Sequence, residues 1–178
     1  MRSSLKEIVP AMVITILMLI LLEIFSTVAL PIFGIQNYKL PFNIILVLYL
    51  GFKLESPYLP ILILLMGHIH SIFSIEGWAT ATLAGVLVCA LISYLRDLIH
   101  FKTAALTILV TQIFQTIWNV IVSGLIMLQG GKWDYILDKF WRFIPESIVM
   151  SLASPLIFMV LDKIWQSGGG RSVLGDEV

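Results

Sequence analysis

Charge is what this chain most lacks. Only 12% of its 178 residues are Asp, Glu, Lys or Arg, about half the ~25% of an ordinary soluble domain. Acidic and basic residues balance at 11 each, so no net field draws in nucleic acid. Cysteine is almost missing. The lone Cys89 excludes an internal disulfide, and its apolar surroundings favour a small packing residue. Repeats and low-complexity tracts are missing too, and so is a catalytic constellation. Ser71 and Ser74 have histidines close in sequence, but serines in helices usually bond their own backbone. His68 and His70 make the other suggestive pair. Positions i and i+2 of a helix point about 200° apart, so one metal ion does not easily take both. Zinc would need three or four ligands. The expectation is a protein with no catalytic residue, no cofactor and no metal site.

What the chain has is apolar surface. Hydrophobic residues make up 59% of it, and mean hydropathy is +1.00. A soluble core of this size could not hide so much. The reading is an all-α membrane protein of about six transmembrane helices. Residues 1–166 form one integral membrane domain, and residues 167–178, with Gly168, Gly169 and Gly170, form a disordered cytoplasmic tail.

The central stretch is a hairpin. Residues 57–73 are apolar, Ser74, Ile75, Glu76 and Gly77 make a tight turn, and residues 78–98 are apolar again. The arms are about 17 and about 21 residues long, near the ~20 that cross a bilayer. The rest of the chain reads as helices built around this pair.

Taken in order, residues 8–30 form a first span that carries Glu23 and ends before Pro31. Pro10 fits its first turn, where a missing N–H costs little. The run exceeds the ~7–15 apolar residues of a signal peptide, so it reads as retained. Residues 40–52 are a short second span of ~20 Å against a ~30 Å hydrocarbon core. Lys53 and Glu55 interrupt before the hairpin, and Arg96, Asp97, His100 and Lys102 form a charged loop after it.

Residues 103–128 are the fifth span. Thr111, Gln112, Gln115, Thr116, Asn119 and Ser123 fall within an arc of roughly 140°, a hydrogen-bonding face that must meet protein or trapped water. In residues 130–143, Trp133, Ile136, Leu137, Phe140 and Trp141 recur at helical spacing, while Lys132, Asp134, Asp138, Lys139 and Arg142 take the other positions. That pattern predicts an amphipathic helix lying in the membrane interface. Residues 143–164 are the sixth span, with a kink expected at Pro155. Lys and Arg number 7 on the side of both termini and 4 on the other, so both termini are expected in the cytoplasm.

Ionisable groups at membrane depth are costly, so they mark sites. Glu23, His68, His70, Gln115, Asn119 and Glu146 are the candidates for a polar pocket in the outer half of the bundle. The competing reading is interhelical hydrogen bonding that fixes the packing. Ala81, Gly85, Cys89 and Ser93, four apart, form a small-residue ridge that either packs inside the bundle or docks another membrane protein. Ala81, Gly85, Trp133, Phe140 and Trp141 are the candidate partner interface.

Residues 40–101 resemble the rod shape-determining protein MreD family. The matching features are Pro41-Phe42-Asn43, a leucine-rich run at residues 46–50, the break from Glu55 to Pro57, Gly67, and the turn ending at Gly77. One departure stands out: where the family often carries an aspartate shortly after the glycine, this chain has His70-Ser71. The resemblance implies a non-enzymatic inner-membrane subunit of the bacterial elongation machinery. Its partner would be a single-span MreC-type protein and, indirectly, MreB, RodA and a class B penicillin-binding protein. It also implies a fold similar to the substrate-binding S components of energy-coupling-factor (ECF) vitamin transporters. An S component that binds a vitamin-like molecule from outside is the alternative, and a small membrane enzyme is a weaker third.

Overall fold

The computed structural model describes residues 5–32, 34, 38–54, 58–74, 77–96, 99 and 103–167, with side chains from Ile8 onward. Parts of the expected hairpin turn (Ile75, Glu76) and of the charged loop (Asp97, His100, Lys102) lie outside these residues. So do the Glu55–Pro57 break and tail residues 168–178.

The described residues are almost wholly helical. α1 (Leu5–Ile24) runs through a π-helical turn (Phe25–Ala29) into α2 (Leu30–Ile32), followed by α3 (Phe42–Lys53), α4 (Leu59–Phe73), α5 (Trp78–Leu95), α6 (Ala104–Leu128) and α7 (Trp133–Ser167). Four of these segments are long and apolar enough to cross a membrane: Ile8–Ile32, Trp78–Leu95, Ala104–Leu128 and Trp133–Ser167. This is the architecture of a multi-pass membrane protein. α3 and α4 are shorter apolar helices.

The hairpin of α4 and α5 forms, with Gly77 at φ +81° just before α5. It is not the centre of the molecule, however. That place belongs to α3, which packs against α1, α4, α5, α6 and α7. Every residue of α3 from Phe42 to Phe52 is buried. Its 12 residues span only ~18 Å at 1.5 Å each. Jacketed by longer helices, such a helix has no need to match the bilayer thickness. Gly51 permits the approach of α5, because a Cβ there would lie 2.9 Å from Ile92 Cγ2. The Gly51 carbonyl, near the C-terminal end of α3, accepts the Arg96 guanidinium (Nε at 2.9 Å), a favourable place for a cation. Tyr49 donates to Asp162 Oδ1 at 2.9 Å, tying the same end of α3 to α7.

Three proline positions are accommodated in three ways. α1 begins at Leu5, so Pro10 sits beyond the first turn. Pro31 has no N–H and would crowd the carbonyl four residues back, at Thr27. The helix widens just there into the π turn, where Leu30 N–H reaches the Phe25 carbonyl. Pro155 would likewise leave the Ser151 carbonyl without a donor. The Ser154 hydroxyl supplies one, at 2.7 Å, and α7 runs on.

α6 and α7 form a second tight hairpin. Gly131 N–H bonds the Ile126 carbonyl (2.9 Å) and Gly130 N–H the Met127 carbonyl (3.0 Å). Gly130 has φ +87°. This is the helix-ending motif in which glycine takes the left-handed position. The expected separate interfacial helix does not exist as such. Residues 133–143 are the first turns of the 35-residue α7, continuous with the expected sixth span. No glycine or uncapped end intervenes, and Pro145 falls inside the helix without ending it.

Candidate functional site: a polar cleft at the start of α3

The side chains of Glu23, His70, Lys39 and Glu146 meet where α3 begins. Glu23 is fully buried on α1. Its Oε1 is hydrogen-bonded to His70 Nδ1 of α4 at 2.6 Å, and its Oε2 lies 3.7 Å from Lys39 Nζ. Lys39 Nζ also donates to the Phe73 carbonyl at the end of α4. The Lys39 backbone N–H donates to Glu146 Oε1 of α7 at 2.8 Å. Nearby, Leu40 N–H donates to Ser26 Oγ at 3.0 Å, within the π turn. The stretch 38–41 is therefore stitched to α1, α4 and α7, and the Lys39 and Leu40 N–H groups are matched in the process.

Above this network lies an open cleft of about 100 Å³. Lys39, Asn43, His70, Asn119, Lys139 and Glu146 give it a polar lining, and Ile44, Trp118 and Phe143 an apolar one. Of the six expected pocket residues, His70, Asn119 and Glu146 line the cleft. Glu23 lies against it as the partner of His70.

Gln115 belongs elsewhere. It is fully buried, and its Nε2 donates to Ser151 Oγ at 3.0 Å. Ser151 donates in turn to Gln112 Oε1 (2.8 Å), and Gln112 Nε2 donates to Ser147 Oγ (3.0 Å). Of the hydrogen-bonding face expected on residues 103–128, Gln112 and Gln115 thus join α6 to α7, whereas Thr116 is exposed and donates to the Gln112 carbonyl of its own helix at 2.9 Å. His68 is the other correction. It is exposed, on the opposite side of α4 from His70, with its ring edge-on to Trp78 at 6.3 Å. The two-residue spacing demanded that divergence.

The ridge on α5 also divides. Ala81 is 1% exposed, and a Cβ at the buried Gly85 would lie 3.7 Å from Ile63 and Trp118. Both pack inside the chain, so neither is available to a partner. Trp133, Phe140 and Trp141 are exposed, at 66%, 46% and 70%.

Sequence reasoning missed Lys39 and Asn43 as site residues. Lys39 figures there only among the four basic residues on the side away from the termini, and Asn43 only in the Pro41-Phe42-Asn43 motif. The available signal was a lone cation and a lone amide bracketing a proline at the head of an otherwise apolar segment.

No family model, curated protein or solved structure matches the chain.

Proposed function

We propose that this chain is a non-enzymatic subunit of the bacterial elongation (rod) complex, of the MreD kind. In this reading it sits in the cytoplasmic membrane with six spans and both termini inside, α3 and α4 being the two short ones. Its fold would be similar to an ECF S component. It supports cell shape and lateral peptidoglycan synthesis by docking a single-span MreC-type partner, and through it MreB, RodA and a class B penicillin-binding protein.

The observation that carries the reading is the exposed aromatic face of Trp133, Phe140 and Trp141 on the first turns of α7. Exposed tryptophans on a helix of mixed charge suit both the membrane interface and a helical partner. The departure at His70-Ser71 has a local counterpart: Glu23 brings a carboxylate to His70 from another helix.

The cleft favours the S-component alternative only in part. Its polar lining suits a ligand, but about 100 Å³ is well below the ~300 Å³ at the lower end of small-molecule sites. That is scant room for a vitamin. Depletion of the protein in its native host, with cell shape followed by microscopy, tests the choice. Rounding and widening of rods is the expected result. Unchanged shape, with growth restored by an excess of one vitamin, would replace this reading with the S component.

A further inference from the structure

The bonds across the α6–α7 seam form a directed chain that stops short at one end. Ser147 gives its hydroxyl hydrogen to the Ile144 carbonyl at 2.9 Å and accepts from Gln112 Nε2 at 3.0 Å. Gln112 Oε1 accepts from Ser151 at 2.8 Å, and Ser151 accepts from Gln115 Nε2 at 3.0 Å. The far end of the Gln115 amide, Oε1, has no partner among the described residues, and Gln115 is fully buried. Reversing every hydroxyl and amide in the chain would leave Nε2 there instead, so one end of that amide goes unmatched either way.

Thr111 stands one turn before Gln115 on the same helix. It is fully buried too, and its Oγ1 is likewise without a partner among the described residues. A helical threonine commonly gives its hydroxyl to the carbonyl four residues back, as Thr15, Thr107 and Thr116 do here. Thr111 does not. Two fully buried, unmatched polar groups one turn apart are costly to leave bare. Side chains at i and i+4 have Cβ atoms about 5–6 Å apart, a separation that one water can span with bonds of ~2.8 Å. The amide and the hydroxyl supply the two polar partners that a buried water needs at the least. Asn119, one turn beyond Gln115, lines the cleft, so the next polar side chain along α6 already meets open space.

We propose that Thr111 and Gln115 hold an internal water molecule, bound between Thr111 Oγ1 and Gln115 Oε1 inside the helix bundle. It completes the bond chain of the α6–α7 seam. The inference does not rest on the reading as a rod-complex subunit and survives if depletion leaves cell shape unchanged.

The test uses the full chain, isotope-labelled at threonine, in lipid bilayers. Solid-state NMR measures how fast polarisation passes from water to each threonine. Thr15 is the dry control: it is as fully buried, but it donates to the Ala11 carbonyl and accepts from Trp165 Nε1. Thr111 should be reached several times faster than Thr15. Thr111→Val, which keeps the shape and removes the hydroxyl, should lower the melting temperature by about 2–4 °C, because the water loses a partner. Transfer to Thr111 as slow as to Thr15 would overturn the proposal, and with a lowered melting temperature it would mean a direct bond between Thr111 and Gln115. A raised melting temperature would overturn it as well, since deleting a hydroxyl that truly lacks a partner is a gain. Stabilisation by sodium over potassium that vanishes in Thr111→Val would overturn it in favour of a cation on the same two oxygens. If Thr111→Val does not fold, the comparison of Thr111 with Thr15 in the wild type still decides.

Discussion

Glu23 and His70 stand 47 residues apart in the chain and 2.6 Å apart in the fold, Oε1 to Nδ1. With Lys39 at 3.7 Å from the other carboxylate oxygen, they pin α1, α4 and the start of α3 together. Breaking a buried pair by removing one partner leaves the other without compensation. His70→Ala should therefore destabilise the protein by about 3 kcal/mol, and Glu23→Gln, which keeps the shape and one acceptor, by about 1 kcal/mol. Thermal unfolding of the two single variants and the double variant in detergent checks this. A coupling energy above ~1 kcal/mol is expected, and strictly additive losses would show that the contact stabilises nothing.

Ser151 serves two glutamines of α6, donating to Gln112 and accepting from Gln115. Ser151→Ala leaves both amides short of a partner at the α6–α7 seam. The expected loss is about 1 kcal/mol, in keeping with interhelical bonds inside membrane proteins. Ser93→Ala is the control, because Ser93 is exposed and donates to the Cys89 carbonyl of its own helix. Equal losses in the two variants would contradict a seam role for Ser151.

At Gly51, α3 and α5 pack closely. A methyl group there would press on Ile92 Cγ2 at 2.9 Å and Cδ1 at 3.0 Å. Gly51→Ala should cost about 1–3 kcal/mol through overpacking. Ile92→Ala in the same chain should recover part of that loss. No recovery would mean that the backbone, not the side chain, is the obstacle.

Phe140 and Trp141 are exposed, so replacing both with alanine should leave stability within ~0.5 kcal/mol per site. Co-purification with a single-span MreC-type partner should fall severalfold, because aromatic anchors dominate interfaces. Unchanged recovery of the partner from a folded double variant would remove this face from the proposed interface.

Much of this was legible from particular residues. The polar arc on residues 103–128 announced a face turned to protein, and Thr111, Gln115 and Asn119 are buried as it required. The spacing of His68 and His70 ensured that only one could face inward. Residues 133–143 were legible as an amphipathic helix, but not as the beginning of α7. Helical periodicity runs on unchanged when a helix leaves the interface for the bundle, so nothing local marks a boundary. Gly85 and Ala81 illustrate a different limit. A small-residue ridge permits close approach without saying whether the neighbour is α4, α6 or another protein.

The sequence by itself determined that the chain is helical and membrane-embedded, because no other arrangement could satisfy its backbone with so little polar surface to spare. It also determined where the Gly77 and Gly130 turns fall, since φ near +80 to +90° is a local property of glycine. The tertiary structure decided that the short apolar α3 lies at the centre, because hydrophobicity on all faces reads the same towards lipid as towards protein. It decided too that Lys39, His70 and Glu146 gather around Glu23. That meeting depends on how five helices cross, which no one-dimensional pattern encodes.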